Sequence, residues 1–301
     1  MWSLSSRWNR IAALAAVALV TASAPGEAPS PKLLLWERGT IDKLLASAPA
    51  PWDTDEKFAR ILRALAEGYP NDFAGVEFPA GQLARVMFKN GSPIVYDDGK
   101  EKTFEQRLDD PDIEDTFSQA YPLANPTDTL PADFDPGRIR NEAMFFALYG
   151  GTETMVRTHS TQVDFCGQKV TFSKRCGAAE ALTKVSTELV ALFEKQPDLA
   201  DYAKNLGGTL NWRKVAGTQR LSNHSFASAI DLNLDKSTYW RWQPAAKLPT
   251  FSRLGFPQPI IEAFERHGFI WGGKWYHYDT MHFEFRPELI AHAKGAAKSA
   301  K

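Results

Sequence analysis

Two strand-like segments near the C-terminus are short and each has one polar face, which restricts the sheets that the chain can form. In residues 229–233, Ile230 and Leu232 alternate with small or polar residues, and in residues 282–285 two phenylalanines alternate with a histidine and a glutamate. An alternation of period two is typical of a strand with one apolar and one polar face. Short strands that are separated by turns and mixed with helices lack the regular alternation that a parallel sheet requires. The sequence therefore predicts an α+β fold.

Charge and composition exclude several classes of protein. The chain has 301 residues, and its 35 Lys and Arg against 36 Asp and Glu give a net charge of −1. The basic surface typical of a nucleic-acid-binding protein is therefore missing, and we expect no nucleic-acid partner. Hydrophobic residues at 44% and charged residues at 24% are typical of a soluble globular protein and argue against a polytopic membrane protein.

The first 24 residues are predicted to be a signal peptide. Arg7 and Arg10 precede an apolar run, 11–20, and residues 22–24 form the small-x-small pattern of a cleavage site. A membrane-spanning helix needs about 20 apolar residues, so the alternative of a permanent membrane anchor is the weaker one. We expect an exported protein, periplasmic or extracellular, with no stable membrane span after cleavage.

Export bears on the two cysteines of the chain, because they would meet an oxidising environment. Cys166 and Cys176 are the only pair, and the residues between them contain a β-prone segment. A small clasped hairpin or loop would allow a disulfide between them, and this bond is our prediction. The alternative is a thiolate metal site or a cysteine nucleophile, for which a spacing of this length is unusual.

After the signal peptide we predict an N-terminal extension, 25–134, whose role the sequence does not reveal. It begins with an Ala-, Pro- and Ser-rich stretch with a short helical piece around 33–45. A helix that Asp53 or Thr54 can cap follows and ends before Pro70. The extension could be a packed part of a catalytic domain, a lid on the substrate side or a separate module. Later helices are predicted at 138–148, 178–195 and 258–267.

The densest group of chemical side chains lies in two segments near the C-terminus. His224 precedes the strand of Asp231, and a loop can bring its imidazole over the polar face of that strand. His282 and Glu284 share the polar face of a second strand. Two histidines and one carboxylate form a three-ligand set that is typical of a catalytic zinc, and Asp279 is the natural general base for a zinc-bound water. From spacing alone, ordinary structural histidines are an equally good explanation.

The two segments resemble the zinc D-alanyl-D-alanine carboxypeptidase and L-alanyl-D-glutamate endopeptidase family, which includes the vancomycin-resistance D,D-carboxypeptidases. Residues 222–231 are similar to its SxHxxGxAxD motif, and the WGG-x-W and D-x-M-H-F-E segments are similar to its second motif. The resemblance implies a hedgehog/D,D-peptidase-like fold, in which a small antiparallel sheet with flanking helices carries a Zn²⁺ site. It implies that His224, Asp231 and His282 bind the zinc and that Asp279 is the general base. We place this peptidase domain at 135–290, followed by a tail at 291–301.

One position departs from the family pattern, and further roles stay open. Ala227 stands where the family has glycine, which restricts the backbone at that turn. The resemblance also implies an arginine that stabilises the oxyanion, and the candidates are Arg213 and Arg220. Ser222 is a candidate for substrate binding or for fixing the loop of His224. A further candidate for substrate binding is Trp275, one of several tryptophans around the site that can also pack a cleft wall.

The function that the resemblance implies is hydrolysis of amide bonds in peptidoglycan stem peptides, as a D,D-carboxypeptidase or an L,D- or D,D-endopeptidase. The substituted glycine leaves a second hypothesis open, a non-catalytic cell-wall-binding or scaffold protein that keeps the fold and a structural zinc. A metal-dependent hydrolase with another substrate is a third and weaker possibility, because function belongs to the site and not to the fold.

Overall fold

The computed structural model describes residues 32–125, 130–242 and 255–299. The predicted signal peptide, 1–24, lies outside these described residues. Within them, no helix is both long enough and apolar enough to cross a membrane.

Helices and short antiparallel strands are mixed along the described residues, which confirms the predicted α+β class. The helices are α1 (Ile41–Ala46), α2 (Glu56–Gly68), α3 (Phe104–Asp109), α4 (Ile113–Thr116), α5 (Glu142–Tyr149), α6 (Glu153–Thr158), α7 (Ala178–Lys195), α8 (Gln258–Arg266) and α9 (Pro287–Ser299). The strands are β1 (Lys32–Leu35), β2 (Phe73–Phe78), β3 (Arg85–Phe88), β4 (Ile94–Val95), β5 (Ser160–Phe165), β6 (Gln168–Ser173), β7 (Ala229–Asp231), β8 (Phe269–Trp271) and β9 (His282–Phe285).

Helix α2 and a four-stranded sheet in the order β1-β2-β3-β4 form the N-terminal core. Phe58, Ile61 and Leu62 of α2 are fully buried, and the ring of Phe58 lies 6.2 Å from that of Phe78 in β2. The carboxylate of Asp55 accepts the backbone N–H of Phe58, so Asp55 is the N-cap. The helix is as predicted, although its cap lies one to two residues after the expected one.

Two other predicted helices differ from the structure at their start. The piece expected at 33–45 begins instead as strand β1, in which Leu34 pairs with Val76 of β2, and only its end lies in α1. The helix expected at 138–148 starts at Glu142, because the side chain of Asn141 accepts the N–H of Met144 and caps α5 there. Tertiary pairing and a capping side chain therefore override the local periodicity.

The hairpin formed by β5 and β6 contradicts the predicted disulfide. Its register pairs Phe165 with Gln168 at the turn and Ser160 with Ser173 at the open end. Cys166 therefore lies in the turn, whereas Cys176 lies beyond the open end, and both are free thiols. A strand of six residues spans about 17 Å, whereas bonded cysteines need Cα atoms within about 7 Å. The prediction was wrong because the hairpin separates the two residues that a compact loop would have brought together.

A three-stranded antiparallel sheet in the order β7-β9-β8 lies at the centre of the C-terminal half. Its register places Ile230 opposite Phe283 and Asp231 opposite His282. The ring of Phe283 stacks on Phe264 of α8 at 4.0 Å, so this face of the sheet packs into the core. The other face carries the polar side chains.

The last helix joins the two halves of the molecule. α9 packs along α2, and a Cβ atom added to Gly68 would lie 2.6 Å from the backbone nitrogen of Glu288. Side-chain hydrogen bonds run across this contact from Tyr69 to Glu288 and from Arg60 to His292. Helix α9 continues across residue 290, where we placed the end of the peptidase domain.

Candidate metal centre

Two strands and one turn bring the three predicted ligands together. Asp231 of β7 and His282 of β9 are direct cross-strand neighbours, and His282 Nδ1 lies 3.0 Å from Asp231 Oδ1. His224 lies in a 3-10 turn that immediately precedes β7, and its Nε2 lies 3.2 Å from the same carboxylate oxygen. The three ligand atoms lie within 4.8 Å of one another, so this group could hold a metal ion.

Hydrogen bonds on the outer side of each imidazole fix the ring orientation. His224 Nδ1 lies 3.1 Å from the carbonyl oxygen of Thr209, and His282 Nε2 lies 3.0 Å from Glu284 Oε2. Because both partners only accept, each of these nitrogens carries the proton and donates it. The opposite nitrogens face Asp231, so a metal ion bound there would take the place of any proton that they carry.

The electrostatics of the metal-free group follow from its burial and its charges. Burial raises the pKa of Asp231, but the neighbouring imidazoles of His224 and His282 outweigh it and hold the pKa well below its usual value. Burial lowers the pKa of His282, but hydrogen bonds from its ring to Asp231 and Glu284 outweigh burial and raise it to about 10. These carboxylates therefore favour a cation between them, either a proton or a metal ion.

Asp279 lies beside the three ligands, in the loop between β8 and β9. Its N–H donates to the carbonyl of Gly272, and a Cβ atom on that glycine would lie 2.6 Å from the carbonyl oxygen of Asp279. A Cβ atom on Gly273 would lie 2.2 Å from the ring of Trp271. Both glycines of the WGG segment are therefore needed for this close approach of the loop.

The side chain of Asp279 is suited to proton transfer. It lines a cavity of about 270 Å³ together with His224, Asp231 and His282. Its Oδ1 atom is buried and has no hydrogen-bond partner among the described residues. Burial raises the pKa of Asp279 to about 6, against the opposing effect of the His282 imidazole. A carboxylate with a pKa near neutrality is an effective general base.

The two candidate arginines are in different places. Arg213 lines the cavity with an exposed side chain, and its backbone brackets the turn of His224 by accepting the N–H of Ser222. Arg220 points away from the cavity toward Asp109, with 3.5 Å between Nε and Oδ1. The structure therefore brings only Arg213 to the ligands.

The sequence analysis missed Arg138, Arg140 and Arg241, which also line the cavity. Arg138 lines the cavity, its guanidinium lies 4.4 Å from the centre of the Trp275 ring, and its Nη2 donates to the carbonyl of His277 at 2.6 Å. The Asp-Pro-Gly turn directly before Arg138 was the available signal, because such a turn fixes the residue that follows it. Its distance from both motifs along the chain hid the connection.

The two candidates for substrate binding, Ser222 and Trp275, lie in the cavity wall. Ser222 is buried there at the start of the turn of His224. Trp275 is also buried, and its Nε1 donates to the carbonyl of Pro136 at 2.7 Å. Ala227, which stands where the family motif has glycine, ends the turn in the left-handed conformation with φ 51° and ψ 37°. Its N–H still donates to the carbonyl of His224, so the turn forms with alanine.

Carboxylates also cluster around Lys102, at a distance from this cavity. The Lys102 ammonium lies 2.7 Å from Asp115, 3.3 Å from Asp112 and 3.2 Å from Asp98. The lysine already supplies the positive charge that these carboxylates require. Among the described residues, the group of His224, Asp231 and His282 is therefore the best candidate for a metal.

The fold and the site together define an α+β protein with a candidate metal centre in a cavity. Residues 216–285 match the model of a family described as D-alanyl-D-alanine carboxypeptidase, and this supports the resemblance inferred from the sequence motifs. The matched segment contains all three metal-ligand candidates and Asp279. No curated protein and no solved structure matches the chain.

Proposed function

We propose that the protein is an exported zinc peptidase that hydrolyses amide bonds of peptidoglycan stem peptides, as a D,D-carboxypeptidase or an L,D- or D,D-endopeptidase. The observation that carries the proposal is the convergence of His224, Asp231 and His282 beside Asp279, within the segment that matches the carboxypeptidase family. Peptidases of this family are hydrolases of cell-wall peptides, and we extend that activity to this chain. The proposed domain is 135–290 with a hedgehog/D,D-peptidase-like fold, and the proposed signal peptide is 1–24.

The donor set fits zinc. Two imidazole nitrogens and one carboxylate oxygen are a common set for catalytic zinc, and each ring turns one nitrogen toward the same Asp231 oxygen. A zinc ion held there supplies Lewis acidity, which polarises a carbonyl and acidifies a water molecule. The ligands His224 and His282 are buried, which keeps competing water away from them.

Asp279 performs the proton transfers in this proposal. Its carboxylate lines the cavity, and one oxygen of that group accepts the proton of the attacking water. The same oxygen then delivers that proton to the nitrogen of the leaving amine, which prevents the amine from leaving as an anion. The pKa of about 6 allows both steps near neutral pH.

Arg138 is the arginine that we assign to the oxyanion. It is held by the Trp275 ring and by the His277 carbonyl, so its charge is fixed in the cavity wall. A fixed cation stabilises developing negative charge better than a mobile one, because little reorganisation is needed. Arg213 is exposed and suits a contact with the substrate, whereas Arg220 is engaged with Asp109.

Incubation of the purified protein with muropeptides tests the proposal. Mass spectrometry of the products would identify released D-alanine or split stem peptides and the bond that is cut. We expect Asp279→Asn to lower turnover by about 10²- to 10⁴-fold and to leave the zinc content unchanged. Asp42→Asn, which changes an exposed carboxylate 79% accessible in α1, is the matched control and should retain full activity.

A non-catalytic wall-binding protein is the second candidate, and Ala227 is the observation that favours it. An alanine in the left-handed conformation costs about 1–2 kcal/mol relative to its preferred backbone. Binding to muropeptides without any product, by a protein that contains zinc, would support this candidate and contradict the peptidase.

A further inference from the structure

Buried charged groups form a continuous chain from His282 to the N-terminal extension. His282 Nε2 lies 3.0 Å from Glu284, and the other oxygen of Glu284 accepts Arg286 Nη1 at 3.1 Å. Arg286 Nε donates to Glu288 at 2.5 Å, and the hydroxyl of Tyr69, which directly follows α2, donates to the second oxygen of Glu288 at 2.6 Å. Glu284, Arg286, Glu288 and Tyr69 are all 0% exposed.

Burial on this scale requires a reason other than stability. Removing charged groups from water is costly, and a well-packed apolar replacement is often as stable as a buried ion pair. An apolar replacement cannot accept a hydrogen bond from a chosen ring nitrogen, so it cannot hold a ring in one orientation. The chain ends on a metal-ligand candidate, which suggests that it serves the orientation of His282.

Hydrogen bonds to both oxygens hold the carboxylate of Glu284 in one orientation. Its Oε1 accepts Arg286 Nη1, and its Oε2 accepts both the ring of His282 and Arg140 Nη1 at 3.4 Å. Because both oxygens are engaged, the carboxylate cannot turn without losing a charged hydrogen bond. Arg286 is fixed in turn by Gly137, whose carbonyl accepts Nη1 at 2.8 Å.

We propose that Glu284 is a positioning residue that holds His282 with Nδ1 toward the metal, and that Tyr69 of the N-terminal extension completes its support through Glu288 and Arg286. This inference rests on the proposed function in that it takes a zinc ion at the site. It assigns a role to part of the extension: α2 is a structural support of the metal centre. The observation behind that assignment is the contact of Tyr69 with Glu288 in the tight packing of α2 on α9.

The test is the zinc dissociation constant of the full-length protein, measured by competition with a chromophoric chelator. Glu284→Gln keeps the shape of the side chain but loses its charge, and we expect zinc binding to weaken by about 10- to 100-fold. Long-range ¹⁵N–¹H spectra of labelled imidazoles give a second readout. In the zinc-loaded parent protein His282 should bind through Nδ1 alone, whereas in Glu284→Gln a population bound through Nε2 should be present.

Tyr69→Phe tests the contribution of the extension, with Tyr96→Phe as the matched control. Both tyrosines are buried in the extension, but the hydroxyl of Tyr96 has no hydrogen-bond partner among the described residues. We expect Tyr69→Phe to weaken zinc binding by roughly three- to tenfold, since it acts through two further residues. Tyr96→Phe should stay within twofold of the parent protein.

The outcomes separate this inference from the proposed function. Unchanged zinc affinity and an unchanged His282 spectrum in Glu284→Gln would overturn the role of Glu284. Equal affinities for Tyr69→Phe and Tyr96→Phe would overturn the role of the extension. A parent protein without zinc affinity would overturn both the inference and the proposed function. The expected effects on zinc, in a protein that cleaves no muropeptide, would support the inference and contradict only the proposed peptidase.

Discussion

The N-terminal sheet and the sheet of the metal centre bury opposite kinds of side chain. Among described residues 32–95, no charged side chain is buried, and the interior consists of residues such as Phe58, Phe73 and Val86. The sheet of β7, β8 and β9 buries His282 and Glu284 on its polar face, and the chain after it buries further charges.

This difference indicates that the N-terminal core mainly stabilises the molecule, whereas the buried charges mainly orient the side chains of the metal centre. Apolar burial contributes about 25 cal/mol for each Å² removed from water, so the N-terminal core adds stability with little geometric demand. Buried charges contribute little net stability but hold ring nitrogens and carboxylates in fixed directions. We therefore expect stability and metal binding to respond to different substitutions.

The largest expected effect on stability comes from the N-terminal core. Leu62 is fully buried in α2, and Leu62→Ala should lower the free energy of unfolding by about 2–5 kcal/mol. Zinc affinity should stay within about threefold, because the contact of Tyr69 with Glu288 remains. Leu35→Ala is the matched control, because this side chain is 66% exposed and should change stability by less than about 0.5 kcal/mol. Urea unfolding measures both, and equal effects would contradict the apolar core described for α2.

The next prediction concerns the pH dependence of stability and rests on a histidine of α9, the helix that packs on α2. His292 of α9 is buried, and burial lowers its pKa to about 4. In the unfolded chain this histidine has a pKa near 6.5, so between about pH 6.5 and 4 it binds a proton that it does not bind in the folded protein. Stability is therefore lost as the pH falls through this range. The loss should be about 3 kcal/mol.

His292→Gln isolates this contribution from those of other groups. Glutamine can still accept the hydrogen bond that Arg60 donates to His292 Nε2, but it does not titrate in this range. Unfolding curves at pH 7 and pH 4 should therefore differ by less in the variant than in the parent protein. An equal pH dependence in both proteins would show that His292 carries no such proton linkage.

The comparison also explains what the sequence could and could not predict. Helical spacing of apolar residues predicted α2 and α7, because burial of one helix face is a local pattern. Residue chemistry identified the ligand candidates, but their convergence depends on a register that joins Asp231 to His282 across 51 positions. No local pattern contains that register.

The failures have the same physical origin. The disulfide between Cys166 and Cys176 was predicted from closeness along the chain, whereas the hairpin register separates the two residues. Arg138 was missed because only the folded chain brings its turn to the cavity. The alternation of the strand predicted that Glu284 shares a face with His282. It did not predict the ion pairs of Glu284 with Arg140 and Arg286.

Removal of the metal should affect stability less than loss of core packing. A ligand that binds only the folded state, present at about 100 times its dissociation constant, stabilises by about 2.7 kcal/mol. Excess chelator should therefore lower the unfolding free energy of the zinc-loaded protein by about that amount. His282→Ala should abolish the difference between zinc and chelator, whereas Leu62→Ala should keep it. A variant lacking His282 that is still stabilised by zinc would contradict the ligand set.

The smallest expected effect on stability comes from Ala227, at the end of the turn that carries His224. Ala227→Gly relieves the left-handed strain but gives the unfolded chain more freedom, so the unfolding free energy should change by less than about 1 kcal/mol. Zinc affinity should stay within twofold, because the turn already forms and His224 is held by the Thr209 carbonyl. Turnover should not change either, since Ala227 supplies no side chain to the cavity. A gain of tenfold or more in either quantity would show that alanine distorts the metal centre and would strengthen the case for a wall-binding protein that has lost its catalysis.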